Sequence, residues 1–153
     1  MRHWLARRSN DHQAAKRLYD AIVAQSRLPA LYRDLGIPDT ETGRFESIVL
    51  HLFVVLERLK ACNDRAGERL AQILSETFVD DVDTAMREIG VADIAVGKKM
   101  HAATGAFLGR LLAYRDAAAA PPAVEADRRE ADPLAAAIAR NVLARGSNVA
   151  SPT

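Results

Sequence analysis

The sequence predicts an all-α protein, folded as a single-domain irregular helical bundle of about five to six helices. Aromatic residues make up only 5% of a chain in which 49% of the residues are hydrophobic, so Leu, Ile, Val and Ala must supply most of the core. Ala and Leu favour helices, and the β-branched residues that favour strands do not dominate. Apolar residues also recur at helical spacing through several long segments. A chain of 153 residues is long enough to bury such a core in one domain.

The first predicted helix follows a basic N-terminal segment, residues 1–10. Ser9 and Asn10 are residue types that cap helix N-termini, and the helix is expected to end at about Ser26. Four residues are expected to form its buried stripe: Ala14, Leu18, Ile22 and Gln25. The basic segment places Trp4 among arginines, a pattern that suits an anionic membrane surface, with a frayed terminus as the alternative.

A short helical turn and a loop are predicted next, because "RLPALYRDLGIPDTETG" holds two prolines and two glycines. A second long helix is predicted from about Arg44 to Ala61. The β-branched residues between Ile48 and Val55 would also suit a buried strand, but charged residues on both sides extend the pattern well beyond strand length. Apolar residues surround the middle of this helix, so we expect it to be the most buried one.

A third long helix is predicted to start at Asn63 or Asp64 and to end near Gly90, a residue type that favours helix C-caps. Asp93 is expected to cap a fourth long helix, "IAVGKKMHAATGAFLGRLLAYRDAAAA".

A Pro/Ala-rich linker then precedes a C-terminal helix that is expected to pack on the same domain. Asp132 followed by Pro133 is a cap with a first-turn proline, which marks the start of this helix. The predicted organisation is therefore a basic segment, a helical core, a linker, a C-terminal helix and a flexible tail: 1–10, 11–117, 118–131, 132–146 and 147–153.

Composition argues against several classes of protein. The formal net charge is only +1 and the pI is about 8.0, so no nucleic-acid partner is expected. The longest apolar stretch, Ile48 to Leu56, is far shorter than the ~20 residues of a membrane span. The single cysteine, Cys62, cannot form an internal disulfide and suits a reducing cytosol. The start "MRHWLARR" lacks the apolar run of a secretory signal, so a cytoplasmic protein is expected.

Patterns typical of catalysis or metal binding do not occur in the sequence. The four histidines are too far apart to form a metal-binding pair: His3, His12, His51 and His101. His51 stands in an apolar run and is interpreted as a hydrogen-bonded core histidine. No glycine-rich phosphate loop follows a predicted strand. We therefore expect no enzymatic activity, no metal or other cofactor, and no small-molecule substrate.

The segment "FVDDVDTAMREIGVAD" places three aspartates within four positions: Asp80, Asp81 and Asp83. An EF-hand calcium loop is excluded, because Ala85 and Met86 stand where that loop needs an oxygen ligand and a glycine. On a helix, Asp83 and Arg87 are spaced for an ion pair. The cluster is therefore either a solvated helix face or an acidic docking edge for a partner.

A small-residue stripe is centred on "GAFLG", Gly105 to Gly109. A glycine in a helix interior costs about 0.8–1.0 kcal/mol relative to alanine, so two of them in one helix suggest a close approach by another helix. The first interpretation is tight packing against the helix from Arg44 to Ala61. The second is docking of a helix from a partner protein.

A helix-turn-helix DNA-binding regulator is the alternative function from another class. Gly90 would occupy the turn, and the next helix would present Lys98, Lys99 and His101 to the DNA. The aspartates and glutamates around this segment would repel phosphate, so this function ranks second.

Two long stretches carry an ordered series of motifs. The first, "LYRDLGIPDTETGRFESIVLHLFVVLERLK", contains Pro-Asp-Thr from Pro38, Gly-Arg-Phe from Gly43 and Leu-His from Leu50. The second, "ETFVDDVDTAMREIGVADIAVGKKMHAATGAFLGRLLAY", contains the remaining motif residues: Asp81, Asp83, Arg87, Glu88, Gly90, Asp93, Gly97, Lys98, Gly109, Arg110 and Tyr114. With the closing "ARNVLARG", these motifs make most of the chain from Tyr19 onward similar to the ubiquinol–cytochrome c chaperone family, whereas the basic start and the linker after Ala117 lie outside the resemblance.

The resemblance implies an all-helical, non-enzymatic assembly factor that binds newly made cytochrome b and supports assembly of the cytochrome bc1 complex. It implies a protein partner and no cofactor. The candidate partner-binding residues are Asp80, Asp81, Asp83, Arg87, Lys98, Gly105, Gly109, Arg110, Tyr114, Arg44 and Phe45. The high Ala and Arg content and the lack of a transit peptide favour a bacterial cytoplasmic protein, with peripheral contact at the inner membrane surface as an option.

Overall fold

Six α-helices and no strand are found in the described part of the chain, which confirms the predicted all-α class. The computed structural model describes residues 2–88, 93–121 and 132–143. The helices are α1 (Arg2–Ser26), α2 (Pro29–Arg33), α3 (Glu41–Ala61), α4 (Arg65–Glu88), α5 (Asp93–Ala119) and α6 (Pro133–Ile138), and α6 continues as a π-helix (Ala139–Leu143). None of the helices in these ranges is long and apolar enough to cross a membrane.

Contacts within the chain group its residues into two compact units. Unit 1 comprises Met1–Val23 and Val54–Ala106, and unit 2 comprises Ala24–Phe53 and Phe107–Thr153. Each unit therefore combines segments that are distant in the sequence.

The start and the buried face of α1 differ from the prediction. The backbone is already helical at Arg2, so Ser9 and Asn10 are helix residues and not caps. Over residues 10–26, where burial is described, the buried positions are Ala15, Tyr19, Ile22 and Ser26, largely one residue along from the predicted stripe. The prediction followed apolar spacing alone. Tyr19 can be buried because its hydroxyl donates a hydrogen bond to Asp81, and Ser26 can be buried because its carbonyl oxygen accepts one from the Tyr32 hydroxyl.

The loop between α2 and α3 in unit 2 is shaped by two glycines. Gly36 has φ of +75°, a backbone conformation that favours glycine, and the following Ile37 is buried. Thr40 caps α3, because its Oγ1 accepts a hydrogen bond from the Gly43 N–H at 3.1 Å. This cap explains why α3 begins three residues before the predicted start at Arg44.

Gly43 is required by a close approach of the backbone. A Cβ added at this position would clash with the carbonyl oxygen of Pro38. The Pro-Asp-Thr and Gly-Arg-Phe motifs are therefore parts of one turn, in which the glycine makes room for the segment that carries Thr40.

The predicted end of α3 at Ala61 is confirmed. The prediction that α3 is the most buried helix is also confirmed, because no other helix buries as many residues in the described part of the chain. Val54 is 60% exposed, however, so the middle of the helix has one open side. Asn63 adopts φ of 51°, and Asp64 then caps α4 by accepting a hydrogen bond from the Gly67 N–H at 2.6 Å.

The predicted start of the C-terminal helix is also confirmed. The Asp132 side chain accepts hydrogen bonds from the backbone N–H groups of Leu134 at 2.9 Å and Ala135 at 3.3 Å. In unit 2, α6 packs through Ala137 on Phe53 and Tyr114, whose ring centroids are 5.4 Å apart. The predicted cap at Gly90, most of the linker and the residues after Leu143 lie outside the described residues.

Candidate partner-binding site

Two of the predicted partner-binding residues, Arg110 and Tyr114, lie in the interior of unit 2. Arg110 donates to both carboxylate oxygens of Glu46, with its Nε 2.9 Å from Oε2 and its Nη2 2.7 Å from Oε1. Both side chains of this pair are buried, and the Glu46 carboxylate raises the pKa of Arg110 above its ordinary value. Tyr114 is fully buried against Phe53. These two residues therefore hold helices together and leave no surface for a partner in this conformation.

The three aspartates of unit 1 have different surroundings. Asp81 accepts a hydrogen bond from the Tyr19 hydroxyl at 2.7 Å, which ties α4 to α1. Asp83 forms the predicted ion pair with Arg87, with Nε 2.7 Å from Oδ2. Asp80 is exposed. Asp81 is also exposed, but its carboxylate is bonded to Tyr19 on another helix, whereas the half-buried Asp83 pairs with a residue of its own helix. We therefore call Asp80 and Asp83 the acidic edge.

Of the remaining candidates, Lys98 is exposed on α5, Arg44 is exposed at the start of α3, and Phe45 is half-buried. His51 is half-buried, with its Nδ1 2.8 Å from the carbonyl oxygen of Ser47, as the core interpretation predicts.

The glycine stripe is not packed against any of the described residues. Gly105 and Gly109 are both exposed, and a Cβ added at either would contact nothing within 4 Å among the described residues. The interpretation that these glycines accommodate the helix from Arg44 to Ala61 is therefore wrong. The helical spacing alone could not distinguish a covered stripe from an open one.

An apolar surface that the sequence analysis missed lies beside Gly109. Leu108 is 53% exposed and Leu112 is 56% exposed, and they are one helical turn apart on α5 in unit 2. With Gly109 and the exposed Ala113, they form an apolar strip that we call the α5 face. Large apolar side chains at this spacing are usually buried, so the spacing alone does not indicate an exposed strip.

A second missed feature is an open cavity of about 670 Å³ in unit 2, lined by Arg27, Pro29, Tyr32, Arg33, Asp39 and Arg44. We call it the arginine cavity. The lining residue Tyr32 is fixed in place by a hydrogen bond of 2.7 Å from its hydroxyl to the carbonyl oxygen of Ser26. The same oxygen also accepts a hydrogen bond of 3.0 Å from the Ser47 hydroxyl. Arg44 was a predicted partner-binding residue, whereas the path of the loop that brings Arg27 and Arg33 near it had no signal in the sequence.

Two surface ion pairs partly neutralise the arginine cavity. Arg44 Nε lies 2.7 Å from an oxygen of Asp39, and Arg33 Nε lies 2.7 Å from an oxygen of Asp34. The hydrogen bond from each arginine lowers the pKa of its aspartate, so both carboxylates are ionised at neutral pH. Arg27 makes no ion pair with any residue of the described ranges. The lining residues themselves are three arginines and one aspartate, although Glu41 also lies near enough to interact with Arg44.

Converging groups of the kind that hold a metal are not found in the described ranges, where no three His, Cys, Asp or Glu side chains come together suitably. The surfaces that stand out there are instead an apolar helix face, an acidic edge and a basic cavity. Such surfaces are typical of a helical protein that works by binding other molecules.

The family model described as ubiquinol-cytochrome C chaperone matches residues 33–152, so the chain belongs to this family of assembly chaperones. The sequence-based resemblance is thereby confirmed. The alternative of a DNA-binding regulator receives no support from the proteins to which the chain is similar.

The relatives carry names that agree with the family. The chain is 25% identical over 130 residues to ubiquinol-cytochrome-c reductase complex assembly factor 1 of Xenopus laevis, covering 85% of this chain and 60% of that protein. It is 28% identical over 101 residues to the Mus musculus protein of that name, covering 66% of this chain and 34% of the relative. The chain thus spans about a third to three-fifths of the length of these curated relatives.

A solved structure is also similar. The crystal structure of the Cbp3 homolog from Brucella abortus has 37% sequence identity and a TM-score of 0.73, covering 95% of this chain and 76% of that chain.

Proposed function

We propose that the protein is a non-enzymatic chaperone that binds newly made cytochrome b and supports assembly of the ubiquinol–cytochrome c reductase (bc1) complex. Membership of the chaperone family and the names of the relatives support the role in assembly. The choice of cytochrome b as the client rests on the resemblance together with the surfaces described above. The role needs neither a cofactor nor a small-molecule substrate.

The α5 face is the observation that carries this proposal. A membrane protein that awaits assembly exposes apolar helices, and these bind best where apolar side chains are already exposed. Leu108 and Leu112 supply such side chains, and Gly109 between them leaves room for a helix to approach closely. Helix-in-groove recognition uses anchors at this spacing.

The acidic edge supplies a second, weaker contact in the proposal. Cytoplasmic loops of membrane proteins carry an excess of lysine and arginine. Asp80 and Asp83 could attract such loops, and this attraction would weaken as salt increases. We place the protein in the bacterial cytoplasm, at or near the inner membrane. The greater identity to the Brucella abortus protein than to the vertebrate relatives supports a bacterial source.

The test replaces both leucines of the α5 face. In Leu108→Gln/Leu112→Gln, we expect co-purification of cytochrome b to fall by roughly five- to thirtyfold, because burial of the two half-exposed leucines by the client would contribute about 1–2 kcal/mol. Val54→Gln is the matched control, since Val54 is 60% exposed on α3. Circular dichroism checks that both variants stay helical. Equal retention of cytochrome b by the variant and the control would contradict the proposal.

The acidic edge is tested in the same assay with Asp80→Lys/Asp83→Lys. Asp81 is left unchanged, because its hydrogen bond to Tyr19 stabilises unit 1. We expect weaker co-purification at low salt and little difference at high salt, with Asp116→Lys as an exposed acidic control on α5. Binding that is unchanged at low salt would remove the acidic edge from the proposal and leave the α5 face.

A further inference from the structure

Three arginines line the open space of about 670 Å³ in the arginine cavity: Arg27, Arg33 and Arg44. Guanidinium groups bind phosphate with paired hydrogen bonds and remain charged at every physiological pH. Two of them form ion pairs with exposed aspartates, Arg33 with Asp34 and Arg44 with Asp39, and Glu41 also interacts with Arg44 at longer range. Exposed ion pairs of this kind are weak, so an incoming phosphate can compete for Arg33 and Arg44. Arg27 makes no ion pair with the described residues, so a phosphate can bind it without displacing a carboxylate.

Exposed leucines flank the lining residues of the arginine cavity. Leu28 lies between the lining residues Arg27 and Pro29 and is 44% exposed. Leu35 is 64% exposed, and its N–H donates to the carbonyl oxygen of Ala30 in α2 at 3.2 Å, which holds it against that short helix. Basic groups next to exposed leucines are the combination that binds an anionic bilayer surface.

From these observations we infer that the arginine cavity binds the phosphate group of an anionic phospholipid, while Leu28 and Leu35 enter the acyl layer around it. The short α2 helix and its two flanking loops would thus be a membrane-docking element. The contact is peripheral, and it is distinct from the α5 face that is proposed to bind the client.

An acidic peptide could satisfy the arginines but would not use the leucines in the same way. A peptide would need its own apolar residues at matching positions, whereas a bilayer supplies phosphate and acyl chains together everywhere on its surface. The bilayer is therefore the occupant that accounts for both features of the element.

The experiment measures flotation of the purified protein with vesicles of phosphatidylcholine alone or with added phosphatidylglycerol. Arg27→Gln/Arg44→Gln should weaken binding to the anionic vesicles on the order of 25-fold, because each arginine near an anionic surface contributes roughly fivefold. Arg58→Gln/Arg140→Gln removes the same charge at exposed positions outside the cavity and should bind nearly as well as the unaltered protein. Leu28→Ser/Leu35→Ser should also weaken vesicle binding.

A gain of binding is expected from Asp39→Asn, because this change removes the carboxylate that competes for Arg44. Asp116→Asn makes the same charge change outside the cavity and should have a smaller effect. Inorganic phosphate and glycerol 1-phosphate, added as soluble competitors, should reduce vesicle binding only at high concentration, since they lack acyl chains.

Several results would overturn the inference. Equal losses in the cavity variant and its charge-matched control would mean that only net charge matters. Undiminished binding of Leu28→Ser/Leu35→Ser would exclude insertion of the leucines. Binding of inorganic phosphate or of an acidic peptide without binding to vesicles would assign the cavity to another ligand. The assay contains no cytochrome b, so its failure is independent of the proposed client.

Discussion

Gly43 shows how a single residue determines the geometry of the loop before α3. Because a Cβ at this position would clash with the Pro38 carbonyl, Gly43→Ala must displace either the loop or the start of the helix. We expect a loss of about 1–3 kcal/mol in the free energy of unfolding, the usual cost of forcing extra atoms into a packed site. Urea unfolding followed by circular dichroism measures this change.

Gly97→Ala is the matched control for Gly43→Ala. Gly97 is also helical, but an added Cβ there would contact nothing within 4 Å of the described structure. Alanine should therefore stabilise α5 by about 0.5–1 kcal/mol, because it favours the helix more than glycine does. A stabilising effect of Gly43→Ala would show that the loop moves aside freely and that the close approach is not required.

At the scale of the elements, the Glu46–Arg110 pair joins α3 to α5 within unit 2. In Arg110→Met, the Glu46 carboxylate would remain buried without its cation, and such a change costs about 3–5 kcal/mol. Replacing both partners in Glu46→Leu/Arg110→Met should recover much of the loss, because no buried charge remains. Thermal and urea unfolding of the single and double variants measure the difference.

The double variant also distinguishes an unpaired buried charge from lost packing as the cause of the instability. If the double variant were no more stable than Arg110→Met, the cost would come from lost packing by the long arginine side chain rather than from the unpaired carboxylate.

The elements that the sequence predicted well are those with local signals. Asp64 and Asp132 cap the helices that follow them, because a cap needs only its own side chain and the next two or three backbone N–H groups. The start of α1 lacks such a signal, and its buried face includes Tyr19, whose hydroxyl is hydrogen-bonded to a residue 62 positions away. Contacts between distant segments decide such features, and local periodicity does not report them.

The candidate site was predicted less completely than the fold, for the same physical reason. The acidic cluster and the glycines of α5 were found because their composition is unusual along the chain. Leu108 and Leu112 were not, since an apolar residue on a helix is exposed or buried according to what packs on it. Arg110 was found as a motif residue, but its burial with Glu46 depends on a contact between α3 and α5.

For the whole molecule, the proposed client-binding and membrane-docking surfaces consist of different residues, so their effects in the cell should separate. In a strain that lacks the gene, we expect the amount of assembled bc1 complex to fall, as measured by native gels and by the ubiquinol–cytochrome c reductase activity of the membranes.

The two surface variants should behave differently when they are expressed in this strain. Leu108→Gln/Leu112→Gln should fail to restore the complex, while the fraction of the chaperone that is bound to membranes stays unchanged. Arg27→Gln/Arg44→Gln should shift the chaperone toward the soluble fraction and restore the complex only in part, because it can still bind its client from solution.

A normal amount of assembled bc1 complex in the deletion strain would contradict the assembly role itself. Identical phenotypes for the two variants would mean that one surface serves both purposes.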